Sequence, residues 1–304
     1  MRISVIIPAH NAAGTIEKQL SSLENQCMGK DIEVLVVDNK STDETRKIVE
    51  NVSTHFPALR VVVEEDRQGA NAARNRGVYE ATGDVILLCD ADDIVSPEWI
   101  DTLTLALDAA DIVGGPALAV MALNGETIEL NFESVINLPN IHGYFPYVLS
   151  SNMGFRRRVV REIGGFDESF VGGHEEVDFC WRAQQCGFTL KWIPDATISY
   201  FQRSSLKKLV KQRMLYGATS IQLWERHQDR GKLNPISFTG SARNLLHLIP
   251  RVHEVFTSKS RRRYLLDAGW VTGVFIGHLR YRKFGTLGPT SIPELQLSSD
   301  TDAD

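Results

Sequence analysis

Long apolar runs are missing from this sequence. No stretch is apolar over the roughly 18 residues that a bilayer-crossing helix needs, so none reads as a transmembrane span. The N-terminal MRISVIIPAHN does not read as a signal peptide either, because its apolar run is short and ends at Pro8. Cysteine is scarce, with Cys27, Cys89, Cys180 and Cys186 showing neither CxxC nor CxxxxC spacing. Three of the four sit inside apolar or helical patterns, which points to free buried thiols in a reducing compartment. Glycine is thin where phosphate binding would want it. The first apolar run is followed by PAHNAAGT, with one glycine, so GxGxxG and the P-loop are both absent and a dehydrogenase is disfavoured. A nucleotidyltransferase would need a Gly-rich, Arg-containing loop at the same place, and PAHNAAGT is not one.

What is present is ordinary for a globular chain: 304 residues, 43% hydrophobic and 23% charged, enough for one large domain or two smaller ones. The net charge of −5 hides a division. Residues 1–200 carry a net of −14, whereas residues 201–285 hold 17 Lys or Arg against Glu225, Asp229, Glu254 and Asp267. A region this basic expects an anionic partner, or else presents a solvated helical face.

The first 115 residues alternate in type. ISVIIPA, IEVLVVD, LRVVVEE and DVILLCD read as buried strands. Between them AGTIEKQLSSLENQ, STDETRKIVENVSTHF and GANAARNRGVYEAT have helical spacing. Ser41, with Glu44 three residues on, has the form of a capping box, and Gly83 stands where the third helix should close. Such alternation predicts an α/β fold with a doubly wound, mostly parallel sheet flanked by helices, its ligands at the carboxyl ends of the strands. The polar clusters fall at those ends: Pro8 to Asn11, Asp38 to Thr42, and Asp90 to Asp93.

The last cluster poses a physical problem. Val85, Ile86, Leu87 and Leu88 lead through Cys89 into Asp90, Asp92 and Asp93, and like charges so close raise one another's pKa unless a cation sits among them. Mg²⁺ and Mn²⁺ take hard oxygen ligands and are commonly held by one or two carboxylates plus substrate phosphates. Asp93 has a second reading as a helix cap before IVSPEWI.

Taken in order, VIIPAHN, VVDNKSTDET, RQGANAARNRG, DVILLCDADD, SSNMGFRR, GGFDES and HEEVDFCWRAQQCG resemble the motifs of family 2 glycosyltransferases, over about residues 3–190. The resemblance implies a GT-A fold and inverting transfer of a sugar from a nucleotide-sugar donor, a UDP-sugar by the role it gives Asp38. Asp38 would accept from the uracil N3–H, with Pro8, Ala9 and Asn11 lining the base and Arg74 nearby, unless Arg74 simply pairs with Glu80 or Asp84. Asp90-Ala91-Asp92 matches the family's DxD, which implies a divalent metal, Mn²⁺ or Mg²⁺, on Asp92 with Asp90 beside it. Glu175 and Glu176 head a helix, and acids there are also favoured by its dipole. The family's base is the Asp at the second position, where this chain has Glu176. Glu176 is therefore the expected base, with Asp178 as the alternative, although Asp178 and Arg182 could form an ordinary helix pair. SSNMGFRRRVV resembles the segment facing the sugars, which implies contacts from Asn152 and Met153, and Trp181 from the catalytic helix. Gly172-Gly173 suggests a mobile loop beside the base or a tight turn.

The chain departs from the family in lacking a His in ATISYFQRSS and the QxxRW of processive synthases, so a single sugar transfer is expected rather than polymerisation. The implied enzyme is a hexosyl- or N-acetylhexosaminyl-type transferase of polysaccharide or cell-envelope biosynthesis, acting on a glycan or lipid-linked acceptor and not on nucleic acid. A catalytically silent sugar- or nucleotide-binding relative is the alternative. The expected layout is a GT-A domain over 1–200 (nucleotide half 1–115, acceptor and catalytic half 116–200). A basic helical extension over 201–285 and an acidic disordered tail over 286–304 follow. In the extension, SLKKLVKQRMLYG sets Leu206, Leu209, Val210, Met214 and Leu215 among basic residues, and RRRYLLDAGWVTGVFIGHLRYRKFG is an apolar segment broken by Asp267 and glycines. Both read as lying on an anionic membrane surface, as binding an acidic glycan, or as packed helices. The expected location is cytoplasmic, peripheral at the inner face of a membrane if that surface is used.

Overall fold

A computed structural model describes residues 1–123, 126–129, 134–201, 205–228, 237–284 and 287–293. Strands and helices alternate from the start: β1 (Ile3–Ala9), α1 (Ile16–Cys27), β2 (Ile32–Asp38), α2 (Thr45–Ser53), β3 (Leu59–Val63), α3 (Ala70–Glu80) and β4 (Val85–Cys89). These are followed by β5 (Asp93–Val95), α4 (Trp99–Ala106), β6 (Ile112–Gly114), β7 (Ala117–Leu123), β8 (Glu126–Glu129) and β9 (Asn152–Arg156). Next come α5 (Arg157–Ile163), α6 (Glu175–Gln185), β10 (Leu190–Trp192) and β11 (Ile198–Phe201). Seven strands form the main sheet in the order β10-β6-β9-β4-β1-β2-β3, and β5-β11-β7-β8 form a second. All pairings in the main sheet are parallel except those of β9, which runs antiparallel between β4 and β6.

Successive side chains of a strand point to opposite faces, and both faces here are covered. Val5 and Ile7 join Val34, Val36 and Leu87 under α1, α2 and α4, with the fully buried Leu20, Leu23, Val49 and Trp99. Ile6 joins Leu35, Val37, Ile86 and Leu88 under α3, α5 and α6, with the buried Val78, Val160 and Phe179. That double cover is why the strands read as nearly continuous apolar runs. The chain leaves β1 for β2 on one side, while β4 pairs on the other, so strand order reverses beside β1 and opens a crevice at the carboxyl ends.

Three helix-end expectations are corrected. Helix α2 begins at Thr45, four residues after Ser41, whose hydroxyl instead accepts a bond from the Asn11 N–H at 3.0 Å. Helix α3 closes at Ala81, and Gly83 serves close approach: a Cβ there would lie 2.7 Å from the Ser4 backbone nitrogen. Asp93 caps no helix, since it opens β5. Cys27, Cys89 and Cys180 are buried free thiols, while Cys186 is exposed.

The basic region folds as α7 (Leu206–His227), α8 (Phe238–Leu246), a 3-10 helix (Ile249–Phe256) and α9 (Ser258–His278), which ends in a π turn (Leu279–Lys283). Helix α9 runs unbroken through its glycines. A Cβ at Gly269, Gly273 or Gly277 would fall 2.8, 2.0 or 2.8 Å from the carbonyl oxygens of Val210, Met214 and Ala218 on α7. The glycines therefore let two helix backbones pack in contact. Asp267 pairs with Arg251 at 3.0 Å. Residues 287–293, expected as the start of a disordered tail, are tied down: the Glu168 and Gly165 amides donate to the Ser291 and Pro293 carbonyls. The rest of that expected tail lies outside the described residues. Among the described residues, no helix is long and apolar enough to cross a membrane.

Candidate active site

The loops at the carboxyl ends of β1, β2 and β3 are laced by polar side chains. The Asn39 amide nitrogen donates to the Glu64 and Arg67 carbonyls at 3.1 and 2.7 Å, and its oxygen accepts from the Gly69 N–H at 2.7 Å. Asn11, at a positive φ of 51°, accepts from the Thr42 N–H at 2.8 Å. Asp38 is buried and accepts from the Ser41 N–H at 3.3 Å. It faces a cleft shared with Lys40, Thr42, Val63 and Glu65. Pro8 is half-buried and Ala9 buried beside it, with Ala9 opposite Asp38 in the strand register.

Arg74 projects from α3 and is buried at the centre of the site. It donates to Asp90 Oδ1 at 3.1 Å, to Glu175 Oε1 at 3.0 Å and to Asn71 Oδ1 at 3.2 Å. The helix-neighbour alternative falls away, since Arg76 takes Glu80 at 2.7 Å. One guanidinium thus fixes the end of β4 against the start of α6. Helix α6 is further anchored by His174, its left-handed N-cap residue, whose Nδ1 bonds the Thr219 hydroxyl of α7 at 2.8 Å. Burial, and then His142, lower the His174 pKa to about 3, so the ring is neutral.

The carboxylates now separate by environment. Burial, reinforced by the charge of Glu175, pushes Glu176 up to about 8 despite Arg74. Asp178 is also buried, which alone would raise it. Arg182 at 2.7 Å and His227 at 2.9 Å instead hold it below the usual carboxylate range. Both oxygens of Asp178 are thus engaged, and it does not line the cavity that Glu176 does. Asp90 is half-buried and Asp92 exposed. Behind them Asp93 is 1% exposed, and burial with its two acidic neighbours raises it well above the ordinary value.

Glu176, Arg74, Asp90 and Asp92 line one cavity of ≈ 530 Å³ with Tyr147 and Tyr216. A second space of ≈ 930 Å³ shares Asp92, Glu175, Gln212 and Tyr216 with it and extends to His10 and Asn11, with Lys208 and Lys211 on its wall. The two form one crevice at the carboxyl ends of the strands. Among the described residues no group of three or more His, Cys, Asp or Glu is arranged to hold a metal. Asp90 and Asp92 nevertheless fit a hard divalent ion, because such ions often take only two protein carboxylates and leave other positions to water and phosphate.

Asn152, Met153 and Trp181 do not reach this crevice. Asn152 is fully buried: its oxygen accepts from Trp99 Nε1 at 2.7 Å, and its nitrogen donates to the Pro116 and Ala196 carbonyls at 3.0 and 2.8 Å. Met153 and Trp181 are fully buried as well. Leu149, Ser150 and Ser151, just before Asn152, line the cavity instead. The Gly172-Gly173 pair has φ of 100° and 135° and lies against α7, where a Cβ on Gly173 would sit 2.5 Å from the Tyr216 ring. Sequence patterning missed Tyr147, Gln212, Arg213, Tyr216 and Arg262. All but Tyr147 arrive on α7 and α9, and nothing in a helical repeat says which domain face the helix will cover.

Comparison with known proteins agrees with the geometry. A family model described as Glycosyl transferase family 2 matches residues 4–164, and one described as Glycosyl transferase family group 2 matches residues 85–274. The glycosyltransferase AglE of Haloferax volcanii is 30% identical over 227 residues, covering 73% of this chain and 74% of the relative. The pre-mycofactocin glycosyltransferase of Mycobacterium tuberculosis is 29% identical over 79% of this chain and 51% of its own length. In fold, the chain is similar to the mannosyltransferase PcManGT of Pyrobaculum calidifontis, solved with GDP-Man and Mn²⁺. That match has a TM-score of 0.65 at 18% identity, over 91% of this chain and 86% of that one. It is also similar to S. aureus TarS solved with UDP-GlcNAc, with a TM-score of 0.53 at 19% identity over 94% and 93%.

Proposed function

The chain belongs to glycosyl transferase family 2 and has the GT-A fold, and from that premise we propose that it moves one sugar from a nucleotide-sugar donor to an acceptor hydroxyl with inversion, using Glu176 as general base. The observation that carries this reading is the Glu176 carboxyl, raised to about 8 and lining the crevice that Asp90 and Asp92 also line. A base poised near ambient pH takes a hydroxyl proton most effectively. Glu176 accepts the acceptor proton while that oxygen attacks the anomeric carbon, and the bond to the nucleotide diphosphate breaks in the same displacement, so the centre inverts. Arg74 holds Glu175 and Asp90 in place, Tyr147 and Tyr216 wall the sugar space, and Lys208 and Lys211 face the diphosphate. Asp90 and Asp92 would hold Mn²⁺ or Mg²⁺, which offsets charge on the departing phosphate when bound.

Asp38 supports a uridine base, because its carboxylate can accept from the uracil N3–H. The structural relatives carry guanosine in one case and uridine in the other, so the base is a matter for measurement. In a thermal-shift panel with Mn²⁺, UDP should raise the melting temperature more than GDP or CDP. Hydrolysis of a UDP-sugar by the purified chain should accompany it. A chain that binds nucleotide and hydrolyses no donor is the silent relative instead.

The acceptor is proposed to be a glycan or lipid-linked hydroxyl compound presented at an anionic membrane surface. Of the apolar residues expected to meet that surface, Leu209 and Val274 are buried in the helical region. A different row supports the reading: Leu246, Ile249, Val252 and Phe256, from α8 and the 3-10 helix, are 53–83% exposed, beside the exposed Arg243 and Arg261. Sedimentation with vesicles tests it. Binding to anionic vesicles should fall as salt rises and vanish on neutral ones, since each basic residue near such a leaflet is worth about 1 kcal/mol. A chain that stays in the supernatant with both has no such surface.

A further inference from the structure

Beside the reaction crevice, α7, α8, the 3-10 helix and α9 form an open, solvent-facing cavity of ≈ 610 Å³ lined by Arg213, His247, Arg251, Arg262 and Arg263. Its one acid is Asp267. Asp267 bonds Arg251 at 3.0 Å, and Arg251 also forks onto Glu254 at 2.7 and 3.1 Å. The acid charge is thus concentrated on one guanidinium, and the cavity keeps a positive excess. Arg213 forms no ion pair among the described residues. Guanidinium groups converging on a concave space repel one another unless an anion lies between them, and their planar forks match phosphate oxygens two at a time.

The placement matters as much as the charge. Arg213, Arg262 and Leu266 line this cavity and the Glu176 cavity alike, so the two share a wall. Leu248, Leu266, Trp270 and Val271 give the space an apolar side suited to carbon substituents. We propose that this cavity is an anion subsite for the acceptor, taking a phosphate or diphosphate ester whose hydroxyl-bearing end crosses the shared wall to Glu176. The inference rests on the glycosyl-transfer reading and deepens it by giving the acceptor a chemical class. It also assigns the positive charge of the C-terminal third, in part, to a ligand rather than to a solvated face.

Calorimetry with inorganic pyrophosphate in EDTA, on the full chain without nucleotide, tests the subsite where no metal can draw the probe to Asp90 and Asp92. Saturable binding is expected. Arg263→Gln should weaken it about tenfold, the loss of one charge-assisted hydrogen bond. Asp267→Asn should tighten it several-fold, a gain that no folding defect imitates. No saturable binding, or binding indifferent to both substitutions, overturns the proposal. Nucleotide-sugar hydrolysis by the unmodified chain is measured alongside. Hydrolysis without pyrophosphate binding sinks the subsite alone, whereas pyrophosphate binding without nucleotide binding or hydrolysis sinks the glycosyl-transfer reading. Displacement of the chain from phosphatidate vesicles by pyrophosphate marks a lipid-borne phosphate. Pyrophosphate binding without vesicle binding marks a soluble one, and both keep the assigned chemistry.

Discussion

Glu176→Gln should lower turnover by roughly 10²–10⁴-fold, the usual contribution of a general base, and leave nucleotide affinity nearly unchanged. The unmodified chain should show the matching pH profile. With the carboxyl at about 8, the basic form grows about tenfold per pH unit through neutrality, and kcat/KM should level off above about pH 8. Stability should move the other way. Because the folded-state pKa lies above the ordinary carboxylate value, the folded chain favours protonated Glu176. That contribution is fully present in acid and is lost as pH rises through about 8. Glutamine stays neutral, so Glu176→Gln should melt higher than its parent at alkaline pH while being almost inactive.

Asp178→Asn is the contrasting variant. It removes a charge that Arg182 and His227 both depend on, and breaking a buried pair typically costs about 3–5 kcal/mol. It should melt lower and retain turnover per folded molecule. If Asp178→Asn abolishes turnover with the fold intact and Glu176→Gln does not, the two roles are exchanged.

The α/β alternation was legible because strands covered on both faces must be apolar over most of their length, as β1, β2 and β4 are. The clustering of Asp90, Asp92, Glu175 and Glu176 in one crevice was legible for a related reason: polar residues at the ends of such strands have few places to go. Helix starts were less so. Ser41 and Glu44 have capping-box spacing, yet tertiary bonding of Ser41 to Asn11 takes the hydroxyl. Asn152 misled for the same reason, because a polar residue beside a site motif reads as a ligand contact until Trp99, Pro116 and Ala196 are seen to consume its amide.

The C-terminal helices defeated pattern reading more thoroughly. Gly269, Gly273 and Gly277 look like interruptions in sequence and act as a contact seam in the fold, since helix propensity yields to packing when a neighbouring backbone must come this close. That seam is what carries α7 over the crevice, with Thr219 on His174 and His227 on Asp178. The basic character of the region was visible in sequence. Its division among a crevice wall, a neighbouring open cavity and an outer face required the third dimension.

Removing divalent metal should weaken nucleotide diphosphate binding by about tenfold or more and depress turnover further, given that metal stabilisation of a phosphoryl oxygen is worth several kcal/mol. Asp92→Ala should reproduce this. Asp92 is the better probe than Asp90, which also accepts a bond from the buried Arg74. Asp90→Ala would leave that guanidinium one partner short and confuse loss of metal with a rearranged Arg74–Glu175 contact. If Asp92 acts through the metal, the two perturbations address one interaction and should not add. EDTA would then change nucleotide affinity in the unmodified chain and have little further effect on Asp92→Ala. Calorimetry of UDP or GDP binding across the four combinations reads this directly. Equal affinity with and without metal in the unmodified chain would remove the ion from the site, and Arg74 would then be the cation that holds Asp90.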